Sequence, residues 1–98
     1  MNQSAAADLQ KLGRDAARDV AGVDTVEEVE VVSGEDSTDR PVYNFYFLIG
    51  KARAKQRAGL VRTRLVQRLR DELVARGDAH YPIIHILSRT DWDKRASA

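Results

Sequence analysis

Residues 4–21 place apolar side chains at helical spacing. Ala5, Leu9, Leu12, Ala16 and Val20 follow at steps of four, three, four and four, one face of a 3.6-residue period. Ser4 or Asn2 stands where a first turn is capped, Asp8 lies near the positive end of the helix dipole, and Gly22 marks the stop. Gly13 weakens the middle of this helix by up to ~1 kcal/mol relative to alanine. With three large apolar residues in its stripe, the helix needs docking to persist.

Over residues 26–33 the period changes to two. Val29 and Val31 share one face and Glu28 and Glu30 the other, the alternation of a strand wet on one side. Residues 34–40 contain no apolar side chain and predict a hairpin loop. Pro41 suits the start of the next strand, where a missing N–H matters least. In the strand over 42–49, Tyr43, Phe45, Phe47 and Ile49 line one face and Val42, Asn44, Tyr46 and Leu48 the other. Both faces are largely apolar, as in a central strand or one covered on both sides.

A long helix over about 53–76 comes next. Val61, Leu65, Leu69 and Leu73 form an i, i+4 ladder that Ala58 and Val66 widen. Gly59 lies inside this pattern as a kink or a late start, and Gly77 stands at the C-terminal cap. Residues 82–88 predict a third strand, and residues 94–98 a frayed tail. The order α-β-β-α-β predicts an α+β fold: a two-layer α/β sandwich with a three-stranded mixed sheet and two helices. A helix of about 20 residues between the second and third strands is a crossover, so those strands should run parallel. Whether the third strand pairs with the first or the second is open at this level.

Composition bounds the function classes. Ninety-eight residues, 43% hydrophobic and 32% charged, suit one small globular domain rather than a disordered chain. No apolar run reaches the roughly 20 residues of a membrane span. Met1-Asn2-Gln3-Ser4 shows neither the basic start nor the apolar run of a secretion signal, so a cytoplasmic location is expected. The absence of cysteine excludes disulfides, thiolate zinc sites and cysteine nucleophiles.

The small net charge of +1 hides a polarity. Residues 1–40 carry four basic side chains against ten acidic ones, and residues 51–76 carry nine basic against two acidic. Arg53, Arg57, Arg64 and Arg68 fall within about 60° of one another on the long helix, beside the apolar stripe. Such a strip suits phosphate contacts, although no aromatic residue in 51–76 is present to stack on a base. His80 and His85, the only imidazoles, sit five residues apart and tend toward opposite faces rather than converging on a metal. Asp36 and Asp39 read as solvated loop carboxylates. No nucleotide-binding, nucleophile-elbow or metalloprotease motif is present. No catalytic residue, metal ligand, cofactor or small-molecule substrate is therefore indicated, and an enzyme is disfavoured.

The second face of the central strand offers another kind of site. Val42, Asn44, Tyr46 and Leu48, joined by His85 of the third strand, would form an apolar patch that a monomer rarely leaves in water. Helix 1, the C-terminal tail or another chain must cover it. The leading expectation is a non-enzymatic protein–protein contact domain, homodimeric through this face. The alternative is an RNA- or DNA-binding module using the arginine helix.

Overall fold

The computed structural model describes residues 6–21, 26–49 and 51–97. Helix α1 spans Ala6–Ala21, strands β1 and β2 span Val26–Glu35 and Pro41–Ile49, and helix α2 spans Lys51–Ala75. Strand β3 spans Tyr81–Leu87, and a third helix, α3, spans Arg89–Ser97. The chain is thus of mixed α+β class, with three helices and a three-stranded mixed sheet. The expected order α-β-β-α-β is present, followed by a helix that sequence reading missed. The caps expected at Asn2, Ser4 and Gly22 fall outside the described residues.

Strand β2 is central, antiparallel to β1 and parallel to β3. The long α2 crossover permits the parallel pairing, and β2's two apolar faces suit the middle position. Register places Phe45 between Val31 and Ile84, and Phe47 between Val29 and Ile86. These residues line the sheet face that meets α1 and α2. Leu9, Leu12, Ala16 and Ala17 of α1 and Val61, Leu65, Leu69 and Leu73 of α2 form one buried cluster with Val29, Tyr43, Phe45, Phe47 and Ile84.

Gly13 explains why the thin stripe of α1 suffices. A Cβ built there would lie 3.0 Å from a ring carbon of Phe45 and 3.1 Å from a methyl of Val29, so only glycine lets the helix backbone sit this close to the sheet. Gln10 ties the same helix to β1 by donating to the Val29 carbonyl at 3.2 Å.

The ends of the elements follow local chemistry. At the end of α2, Gly77 adopts φ 72°, its N–H donates to Val74 O at 3.0 Å, and Asp78 N–H donates to Leu73 O at 2.9 Å. This pair of bonds is the Schellman cap. The hairpin loop is shorter than the seven residues expected, because β1 continues through Gly34 and Glu35. The Asp36 carboxylate closes it, accepting from the Thr38 N–H and hydroxyl at 2.8 Å each and from the Arg40 N–H at 3.0 Å.

The expected frayed tail over 94–98 is corrected: residues 94–97 belong to α3, and Ala98 lies outside the described residues. Ser88 starts this helix, its Oγ accepting from the Asp91 N–H at 3.2 Å and its carbonyl from the Trp92 N–H at 2.9 Å. The sequence carried that signal as Ser88-Arg89-Thr90-Asp91, a capping pattern not followed there by a long apolar run.

Candidate functional site

The sheet face opposite Phe45 carries the residues singled out as an interface. Because strand residues alternate, Val42, Asn44, Tyr46 and Leu48 share that face, and register adds Glu30 and Val32 from β1 with Tyr81, Ile83, His85 and Leu87 from β3. Asn44, Tyr46 and His85 come together. The Tyr46 and His85 rings stack at 4.5 Å between centroids, and His85 Nε2 lies 3.1 Å from Asn44 Oδ1. Val42 and Leu48 are 2% and 1% exposed, so the chain itself already buries them.

The C-terminal segment, through α3, reaches this face. The Arg95 guanidinium lies 3.8 Å from the Tyr46 ring centroid and pairs with Glu30 at 2.8 Å. Arg89, in the first turn of the helix, pairs with Glu27 at 3.1 Å. Trp92 is half-buried, its ring 5.7 Å from the same Arg95 group. The hydrogen bond from Arg95 is the main cause that lowers the Glu30 pKa below the usual glutamate value, with a smaller opposing contribution from burial. Burial lowers the His85 pKa below the ordinary imidazole value, and the positive charges of Arg62 and Arg95 lower it further. Both effects disfavour a charged ring. Arg95 and Trp92 are the residues at this face that sequence reasoning missed. The acidic side of β1 was legible, but nothing local showed that a helix would bring arginines to it.

The arginine strip is not uniform. Arg64 is exposed, with no ion pair among the described residues. Arg68 pairs with Asp19 of α1 at 2.6 Å and approaches Glu72 at 3.8 Å, so the acidic N-terminal segment partly neutralises the basic helix. The side chains of Arg53 and Arg57 lie outside the described residues. On the opposite flank, Arg70 lies 5.6 Å from the Tyr81 ring centroid.

No group of three or more His, Cys, Asp or Glu side chains that could hold a metal ion is present among the described residues, and no described helix is long and apolar enough to cross a membrane. Comparisons with protein-family models, with curated proteins and with solved structures find no significant match.

Proposed function

We propose that this chain is a non-enzymatic protein–protein contact domain, built as a two-layer α/β sandwich with α3 laid on the reverse of the sheet. It pairs with a second copy of itself through the part of the second sheet face that α3 leaves open. One observation carries the reading: Val32 and Tyr81 are 43% and 45% exposed at the hairpin end of that face, with half-buried Asn44 and Ile83 in register with Val32, and Tyr81 two residues before Ile83 on the same face of β3. The described contacts of α3 on this face lie toward the other end, at Glu27, Glu30 and Tyr46. A domain of this size buries only about 60–65% of its unfolded surface, so association through an apolar patch adds needed stability.

Light scattering tests this directly. A mass of two chains is expected, with a melting temperature that rises with protein concentration. Val32→Glu, an exposed position, should return the mass to one chain while the fold persists. A wild-type monomer at high micromolar concentration overturns the proposal.

A second reading, nucleic-acid contact by α2, is favoured by the exposure of Arg62, Arg64 and Arg70. Replacing Arg57, Arg64 and Arg68 with Gln should then weaken binding and flatten its salt dependence, by up to ~0.9 per lost duplex phosphate contact. An unchanged salt slope eliminates it.

A further inference from the structure

The two edges of the sheet are finished differently. The strand order leaves one outer edge on β1 and another on β3. An edge strand presents unpaired N–H and C=O groups, and proteins blunt such edges with bulges, charge or a covering element. All three devices are present on β1. Its register shifts between Val26 and Glu28, four glutamates lie along it at 27, 28, 30 and 35, and Gln10 ties α1 to it through the Val29 carbonyl. Strand β3 has no register shift and carries no Asp, Glu, Lys or Arg. No backbone hydrogen bond among the described residues reaches its outer side.

Pro82 gives the direction of the free groups. A proline within a strand sits where its missing N–H would face away from the ladder. Pro82 therefore faces outward, and by alternation so do the backbone groups of Ile84 and Ile86. These are the groups that an added strand would meet.

Helix α2 sets positive charge beside this edge. Arg62, Val66 and Arg70 follow at i, i+4 and i+8 on one side of the helix. Arg70 lies 5.6 Å from the ring centroid of Tyr81 at the start of β3. The Arg62 charge adds to burial in lowering the pKa of His85, further along the strand. Both arginines are exposed, and neither pairs with a carboxylate among the described residues. Val66, between them, is half-buried.

This spacing selects a ligand. The two arginines are separated by about 12 Å of helix, and four residues of extended chain cover about 13 Å. Strand residues four apart share a face, so carboxylates at i and i+4 reach one arginine each, with i+2 opposite Val66.

We propose that the edge of β3 takes up an extended acidic peptide segment of another protein as a fourth strand, its carboxylates four residues apart against Arg62 and Arg70 and an apolar residue midway against Val66. Main-chain hydrogen bonds to Ile84 and Ile86 supply affinity, and the alternate side chains supply specificity. A second copy of β3 suits this place less well, because antiparallel self-pairing about a twofold axis brings the arginines of two α2 helices together. A nucleic acid would use the arginines and leave the strand backbone unpaired. The edge lies across the sheet from Val32, the position that tests pairing through the reverse face, so either reading can fail without the other.

The test is an NMR titration of the full isotope-labelled chain at low salt with acetyl-Thr-Glu-Thr-Val-Thr-Glu-Thr-amide, read at the backbone amides of Ile84 and Ile86. Saturable shifts and slowed hydrogen exchange are expected at both. Replacing the two peptide glutamates by glutamine, or combining Arg62→Gln with Arg70→Gln in the protein, should weaken binding at least about fivefold. Moving one glutamate by a single position sends it to the opposite face of the strand and should cost as much. A peptide N-methylated at two adjacent residues loses a backbone donor in either register and should leave the two amides unmoved. Both arginines are exposed, so thermal melting should confirm that the double variant folds. Arg18→Gln, at an exposed arginine of α1, should leave binding unchanged. The proposal is overturned by no saturable shift at Ile84 and Ile86, by equal binding of the glutamine, shifted or N-methylated peptide, or by an equal loss in Arg18→Gln. Arginine-dependent binding of a short oligothymidylate with no peptide response overturns it in favour of nucleic acid. Shifts of the two amides that grow with protein concentration alone overturn it in favour of a second copy.

Discussion

Replacing Gly13 by alanine sets two known effects against each other. In a helix interior alanine is favoured over glycine by about 0.8–1 kcal/mol. At Gly13 the added Cβ would meet Phe45 ring carbons at 3.0 and 3.2 Å and a Val29 methyl at 3.1 Å. Carbon contacts are most favourable at about 3.5–4.0 Å, so something must move by several tenths of an ångström. The Phe45 ring has little freedom to do so. It is fully buried, stacked on Phe47 at 6.1 Å and edge-on to Tyr43 at 6.4 Å. Overpacking of this kind costs about 1–3 kcal/mol, so Gly13→Ala should lose about 1 kcal/mol net. The internal control is Gly59 in α2, where an added Cβ meets nothing within 4 Å. Gly59→Ala should gain about 0.5–1 kcal/mol. Urea unfolding followed by far-UV circular dichroism, with the slope m unchanged, reads both variants. In a chain this small each kcal/mol moves the melting temperature by about 4–8 °C, so the two variants should part in opposite directions from wild type. A Gly13→Ala protein stabilised as much as Gly59→Ala would refute the close seating of α1 on Phe45.

Leu69 is fully buried in the central cluster, and Leu69→Ala should destabilise by about 2–5 kcal/mol in the same urea assay. Tyr43→Phe removes a donor from buried Asp78 and should cost about 1–3 kcal/mol; a change below about 0.5 kcal/mol would mean that the hydroxyl does not anchor the carboxylate. Arg95→Gln should raise the His85 pKa toward its ordinary value of 6.5, read by NMR, with burial and Arg62 keeping it somewhat below. Because the folded-state His85 value is lowered, its stability contribution is complete above the unfolded value and falls away as pH drops below 6.5. Glu30 has the same sign in a more acidic window: its pairing with Arg95 stabilises the docked helix above pH 4.5 and is lost below it, and Trp92 fluorescence should report that release.

The periodicities of the chain carried its main elements because they express local physics. The i, i+4 ladder from Val61 to Leu73 requires a helix whatever it packs against, and the alternation of Phe45 and Phe47 with Tyr46 and Leu48 requires a strand with two apolar faces. The parallel direction of β3 relative to β2 was legible too, since a long helical crossover allows little else. Three features were decided only by tertiary structure. The pairing of β3 with β2 depends on where α2 returns the chain. Gly13, locally a weakness, becomes the point of closest approach between helix and sheet. The C-terminal segment reads as a polar tail by itself, because its single large apolar residue, Trp92, makes no stripe. Its helix is held instead by Arg89 and Arg95 on the glutamates of a strand some 60 residues earlier. The hydrogen bond between Tyr43 and Asp78 has the same origin. Tyr43 and Asp78 lie 35 positions apart in the chain, and only the turn after α2 brings the carboxylate and His80 against the Tyr43 ring. Local sequence records which residues prefer a helix or a strand. Contacts between distant charges and rings depend on the path of the whole chain, and no window of neighbouring residues contains that path.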